Sequence, residues 1–273
     1  MMKSVNLIFV YIIKKLWSTK TVKRGYEQMS EAKPLVIGHR GAAGEAPENT
    51  LSSFKLALEQ GCDAFELDVH LSKDGQLVVI HDTTVNRTTD GTGSIHDMTV
   101  EELKKLDAGR WFHERFAGER LPLLEEVFDL APQSLMINVE IKAGAHTGKL
   151  EPVLAELLKK KNRMDSVVVS SFDYECLHNL KEIAPEVKIG LLYDLWLGRH
   201  WKLPEASGLE VYSLHPRFPR LRRGDVQKAI EHGLRVYAWT VNEEEHLKKA
   251  IQYGMSGIIT DYPGRLRKLL GEQ

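Results

Sequence analysis

The sequence predicts an α/β protein: a (β/α)8 TIM barrel with a small inserted subdomain after the second βα region. Short apolar runs of strand length alternate with amphipathic helical patterns from Pro34 onward. Eight such runs in a chain of 273 residues fit one closed barrel. The polar residues that interrupt them fall at their C-terminal ends, where a barrel gathers its loops at one mouth. An open doubly wound sheet is the alternative, but its dinucleotide fingerprint, GxGxxG between strand and helix, is missing.

The elements follow in order. Leu35-Val36-Ile37-Gly38 is the first strand. A helix follows within Pro47 to Glu59, with Leu51, Phe54 and Leu58 at helical spacing and Gly61 as the stop. Ala64 to Leu71 has the two-residue period of a strand: Phe65, Leu67, Val69 and Leu71 on one face, Glu66, Asp68 and His70 on the other. Lys73-Asp74-Gly75 is a turn, and Leu77 to Ile80 is a short extended run ending in His81-Asp82. From about residue 83 to 122 the chain turns polar and glycine-punctuated, which predicts the insertion. Within it, Thr99 opens a helix to Leu106 through the capping-box pattern Thr99-Val100-Glu101-Glu102. The alternation resumes with strands at Leu135–Ile141, Val167–Ser171, Lys188–Leu192, Val211–Leu214, Val236–Thr240 and Gly257–Thr260. Helices are predicted at Leu150–Lys161, Tyr174–Ile183, Gly224–His232, Glu243–Tyr253 and Gly264–Leu270.

Bulk properties narrow the function. Lys and Arg number 37 against 38 Asp and Glu, a net charge of −1, which argues against nucleic-acid binding because that needs a basic surface to displace counterions. The two cysteines, Cys62 and Cys176, form no CxxC pair; they read as buried free thiols in a reducing, cytoplasmic setting. Residues 1–33 read as an extension to a barrel spanning 34–273. Its apolar run, Leu7 to Ile13, is too short to span a bilayer and has no small-residue cleavage site after it. Three readings stay open: a disordered extension, a start upstream of the true one at Met29, or a basic-aromatic anchor giving weak membrane-surface association.

The candidate site is the set of polar residues at strand ends. Glu66 and Asp68 lie two apart on one face of the second strand, and Glu140 and Lys142 repeat that spacing on the third. Carboxylates on the inward face of a barrel are costly unless paired or metal-bound. Glu66, Asp68 and Glu140 form an oxygen-rich set that suits one hard divalent cation, Ca2+ or Mg2+, better than zinc. His39 and His81 are placed for acid–base work near neutral pH, and Arg40 and Lys142 for phosphate oxygens. The set points to a phosphodiesterase rather than a glycosidase, which needs a carboxylate pair without flanking cations. Each residue alone reads as structural; their coincidence at successive strand ends carries the reading. Asp82, His70, Asp261 and His215 are assigned mainly to structure.

The ordered set Gly38-His39-Arg40-Gly41, Pro47-Glu48-Asn49-Thr50, Glu66-Leu67-Asp68-Val69, Lys73-Asp74-Gly75 and His81-Asp82 resembles the glycerophosphodiester phosphodiesterase family. Glu140-Ile141-Lys142, Trp239-Thr240-Val241-Asn242 and Thr260-Asp261-Tyr262-Pro263 look like its later elements, so the resemblance runs from about Pro34 to Leu270. It implies metal-dependent hydrolysis of small-molecule glycerophosphodiesters to sn-glycerol 3-phosphate and an alcohol. It implies the cation on Glu66, Asp68 and Glu140, His39 and His81 as the acid–base pair, and Arg40 and Lys142 on phosphate. Phe172 and Trp239, at strand ends, are placed to pack against the glycerol carbons or to serve as rim packing. A lysophospholipase D-like or sphingomyelinase D-like enzyme on the same barrel is the first rival, and a non-catalytic sensor the second.

Overall fold

The computed structural model of the protein describes residues 33–142, 148–196 and 198–271. The readings of the N-terminal extension therefore fall outside the described residues, apart from Lys33. The strands are β1 (Leu35–His39), β2 (Ala64–Leu71), β3 (Leu77–Val79), β4 (Met136–Ile141), β5 (Val167–Ser171), β6 (Lys188–Tyr193), β7 (Ser213–Pro216), β8 (Arg235–Ala238) and β9 (Gly257–Thr260). All but β3 run parallel, and β1 pairs with both β2 and β9, so the eight close into a barrel. β3 lies antiparallel on β2, outside the barrel. Among the described residues, no helix is long and apolar enough to cross a membrane.

Each strand splits its side chains between two layers, as its two-residue period requires. Val36, Phe65, Leu67, Val139, Val169, Leu191 and Ile258 point outward onto the helices. These helices include α1 (Leu51–Glu59), whose Phe54 meets Phe65 with ring centroids 5.0 Å apart. Ile37, Ala64, Tyr237 and Ile259 pack inside the barrel, with Met136 and Trp239 against them. This apolar plug fills the barrel's interior and leaves the polar residues of the same strands nearer the mouth.

The insertion has a small core of its own, in which Val85, Ile95, Leu103, Ala108 and Leu121 pack on Val78 and Ile80. Its helix α2 is Val100–Leu103, shorter than predicted, and carries the capping box between Thr99 and Glu102. The helix α3 (Leu124–Leu130), which follows the insertion, was not predicted. Its Leu124, Val127 and Phe128 are buried at helical spacing, but seven residues beginning on leucine without a polar cap give a weak local signal. The sixth barrel strand also differs: it runs Ser213–Pro216 rather than Val211–Leu214. Proline seldom sits inside a sheet, yet Pro216 is the last residue of β7.

Candidate active site at the barrel mouth

β1 ends in a tight turn that aims two side chains into the mouth. Arg40 has φ of 53° and Gly41 φ of 86°. A Cβ on Gly41 would lie 2.4 Å from Ser53 Oγ on α1, so only glycine fits there. The Ser53 hydroxyl donates to the Arg40 carbonyl at 2.8 Å, and the Arg40 N–H donates to Glu66 Oε2 at 3.1 Å.

Strand register then builds the site in two rows. His39 pairs with Glu66 and Glu66 with Asn138; Asp68 pairs with Glu140 and Glu140 with Ser170. Glu66, Asp68 and Glu140, all buried, offer oxygens that lie within 4.8 Å of one another and could hold a metal ion. Lys142 Nζ stands 2.7 Å from Glu140 Oε1 and 3.4 Å from Asp68 Oδ1, and Arg40 Nε is 3.3 Å from Asp68 Oδ2. Asn49, itself at φ of 57°, donates from Nδ2 to Asp68 Oδ2 at 2.9 Å. Asp68 Oδ1 is buried without a hydrogen bond; Lys142 meets it only as a charge.

The electrostatics divide the three acids. Burial works to raise Asp68, but Arg40 and Lys142 outweigh it and hold the carboxyl at about 2. Glu66 is driven well above the usual carboxylate range by burial and by the negative charges of Asp68 and Glu140. Burial and Asp68 push Glu140 up to about 7 against the pull of Lys142. Carboxylates this close cannot all ionise cheaply without added positive charge.

Both histidines are tethered by a carboxylate. His39 Nδ1 is 2.6 Å from Asp261 Oδ1, and Asp261 is fixed by Asn242, whose Nδ2 donates at 2.5 Å and whose Oδ1 accepts the Asp261 N–H at 2.9 Å. His39 Nε2 faces the acid cluster, 3.8 Å from Glu66 Oε2. His81 Nδ1 is 2.7 Å from Asp82 Oδ1. Burial lowers the His81 pKa, with Arg40 and Lys142 adding to the effect while Asp68 and Asp82 oppose it. Arg87 donates to both Asp82 and Glu48, and Glu48 accepts from Arg40 at 2.6 Å. This chain of ion pairs fastens the start of the insertion to the β1 turn.

His39, Arg40, Glu66, His81, Glu140, Lys142, Phe172 and Trp239 line one pocket that opens to solvent. Asp68, level with Glu140 across the β2–β4 pair, is buried against them, in contact with Arg40 and Lys142. The predicted set is therefore brought together, with Phe172 and Trp239 edge to face at 5.6 Å. Of the four residues assigned mainly to structure, two touch the site's imidazoles and two are buried away from the pocket. Asp261 and Asp82 bind the imidazoles directly. Although His39 and Asp261 are 222 residues apart, the side-by-side pair His81-Asp82 was a local signal available in the sequence. His215 is not at the mouth: it is fully buried inside the barrel, where its ring occupies the space that a Cβ on Gly190 would fill. His70 is buried, with Nε2 3.1 Å from the His81 carbonyl. Asn138 was missed: it lines the pocket, is 1% exposed, and neither amide atom has a partner.

Fold and site together define a phosphoric diester hydrolase. The sequence profile of the "Glycerophosphoryl diester phosphodiesterase family" matches residues 39–265. A glycerophosphodiester phosphodiesterase of Caldanaerobacter subterraneus subsp. tengcongensis is 46% identical over 241 residues, 87% of this chain and 98% of the relative. A lysophospholipase D of Homo sapiens is 31% identical, covering 86% of this chain and 85% of its own. Among solved structures, an Oleispira antarctica phosphodiesterase in complex with the product sn-glycerol-3-phosphate superposes with a TM-score of 0.82 at 33% identity, over 88% of this chain and 97% of that one. The chain belongs to the glycerophosphoryl diester phosphodiesterase family.

Proposed function

We propose that the protein hydrolyses glycerophosphodiesters to sn-glycerol 3-phosphate and an alcohol, using one divalent cation, Ca2+ or Mg2+, and two histidines. The observation that carries the reading is the single pocket onto which the carboxylate trio, both imidazoles and both cations converge.

The donor set fits a hard cation. It is all carboxylate oxygen, Asp68 Oδ1 makes no hydrogen bond, and two of the three acids are pushed toward protonation for want of positive charge. Glu66, Asp68 and Glu140 would hold the ion, which when bound supplies Lewis-acid polarisation of a phosphoryl oxygen. With three ionised acids, Arg40, Lys142 and a divalent ion, the cluster carries one surplus positive charge. That is the complement of a phosphodiester monoanion. Arg40 and Lys142 also offer N–H donors to its oxygens.

Asp261 and Asp82 each hold a ring proton at Nδ1, so Nε2 accepts a proton in the neutral ring and donates one in the imidazolium; the step starts with one ring in each form. One imidazole takes the proton of the glycerol hydroxyl as that oxygen attacks phosphorus. The other gives its proton to the alkoxide as the phosphorus–oxygen bond to the alcohol breaks. The product of this step is a cyclic glycerophosphate. The two rings then exchange roles: water loses a proton, attacks phosphorus and opens the ring to sn-glycerol 3-phosphate.

A panel of glycerophosphocholine, glycerophosphoethanolamine and lysophosphatidylcholine, with glycerol 3-phosphate and choline release read separately, tests the substrate class. The proposal predicts glycerol 3-phosphate from the two acyl-free diesters. Turnover of lysophosphatidylcholine alone would favour the lysophospholipase D reading, for which the exposed Phe172 at the pocket edge speaks.

A further inference from the structure

The barrel mouth is not uniform. Its β1–β4 side carries the acids and histidines, whereas the loops after β5 and β6 carry apolar side chains turned to solvent. Phe172 is 46% exposed, Leu195 63% and Trp196 58%. All three follow C-terminal strand ends, so they lie on the mouth face. Arginines share the loop of Leu195 and Trp196 and the neighbouring loop after β7. The loops Asp194–Lys202 and Arg217–Arg223 contain six Lys or Arg against one acid, Asp194, in a chain whose net charge is −1. Arg217 and Arg220 share Asp194 yet stay about half exposed. Arg222 lies over the Trp196 ring, 4.6 Å from its centroid, and Arg199 and Arg223 are exposed. This half of the rim therefore joins exposed aliphatic and aromatic groups to a local surplus of cations. Loops tied back to the barrel support it: the Arg217 N–H donates to the Tyr193 carbonyl, and Arg217 bridges to Trp239.

From this juxtaposition we infer that the protein docks its barrel mouth on an anionic phospholipid bilayer, with Leu195 and Trp196 entering the headgroup layer and the arginines of these loops on the lipid phosphates. The combination is what such a surface selects: tryptophan and leucine gain at the boundary between headgroups and acyl chains, and basic side chains gain from the negative surface potential. The arginines alone would suit any polyanion. The exposed Leu195 and Trp196 gain nothing from a nucleic acid's phosphates, which decides for the bilayer. The inference goes beyond the diesterase reading and stands without it, because it concerns residues outside the acid–base and ion-binding set.

Co-sedimentation of the full chain with vesicles tests it, using phosphatidylcholine mixed with phosphatidylglycerol against phosphatidylcholine alone. The variants are Leu195→Ser with Trp196→Ser, and Arg222→Glu with Arg223→Glu; all four positions are exposed, so glycerophosphocholine hydrolysis and the melting temperature should match the parent. The expected result is pelleting with the anionic vesicles, loss of pelleting in high salt, and a fall in partitioning of at least about tenfold for each double variant. Equal pelleting with both vesicle types, or a parent protein that stays in the supernatant, overturns the proposal. So does vesicle binding untouched by both double variants, which would assign it elsewhere, such as the basic N-terminal segment. Binding to a polyanionic RNA without binding to vesicles overturns it as well.

Discussion

Asp261 Oδ1 lies 2.6 Å from His39 Nδ1, and His39 Nε2 faces the acid cluster. Asp261→Asn, which keeps the shape and removes the charge, should lower kcat more than it raises KM, and should do so less severely than His39→Ala; steady-state kinetics on glycerophosphocholine separates the two. The raised carboxyls of Glu66 and Glu140 make a second prediction. In the ion-free protein Glu140 holds its proton up to about 7, and Glu66 is likewise pushed upward. A cation must displace those protons, so its affinity should fall about tenfold per pH unit per displaced proton below neutrality and level off above it. Titration calorimetry near pH 6 and near pH 8 checks the sign; an affinity unchanged across that interval refutes it. Asn138 supplies a third. Its buried amide lacks partners, so Asn138→Leu should hold or raise thermal stability while kcat/KM drops by at least about tenfold. Undiminished kcat/KM would assign Asn138 to the fold.

The β1 turn and the start of α1 form the element on which the site depends. Gly41→Ala places a methyl group against Ser53 at a φ that L residues avoid, so it should cost more than about 1 kcal/mol in stability. It should also displace the Arg40 N–H from Glu66. Denaturant unfolding and ion affinity measure the two effects separately. Much of this element and of β2 and β4 was legible in the sequence, because a two-residue period on a half-polar strand states which side chains share a face. Glu66 with Asp68, and Glu140 with Lys142, needed no more than that. The neighbours that tune them were less legible. Asn49 meets Asp68 between the neighbouring β1 and β2 units, and Asp261 meets His39 through the closure of the barrel; no local pattern encodes either. The structural assignment of His215 holds, and its burial has a local cause. A polar residue close to a strand end reads as a mouth residue, but Pro216 extends β7 beyond it, and Gly190 leaves space for its ring inside the barrel. Helix α3 went unseen because it is seven residues long and its N-cap is the apolar Leu123, so the burial of Leu124, Val127 and Phe128 and the acidic first turn of Glu125 and Glu126 make a short local signal.

At the scale of the whole molecule, barrel closure brings residues from both ends of the chain to one point: β1 lies between β2 and β9, so His39 reaches Glu66 on one side and Asp261 on the other. A divalent cation held by the three acids that closure gathers should raise the melting temperature, more at pH 8 than at pH 6, because protons compete for Glu66 and Glu140. Calorimetric unfolding with Ca2+ or Mg2+ against chelator reads this directly. The claim on which the account rests is that the ion site and both histidines act together in one pocket. Its most direct measurement is the initial rate of glycerol 3-phosphate release from glycerophosphocholine by the parent, His39→Ala and His81→Ala, after chelation and again after excess Ca2+ or Mg2+. The account predicts loss of activity on chelation, recovery of the parent on adding the ion, and rates about 10²–10⁴ below the parent for both variants with the ion restored. A chelated parent that keeps its full rate, or histidine variants that match it, would contradict the account.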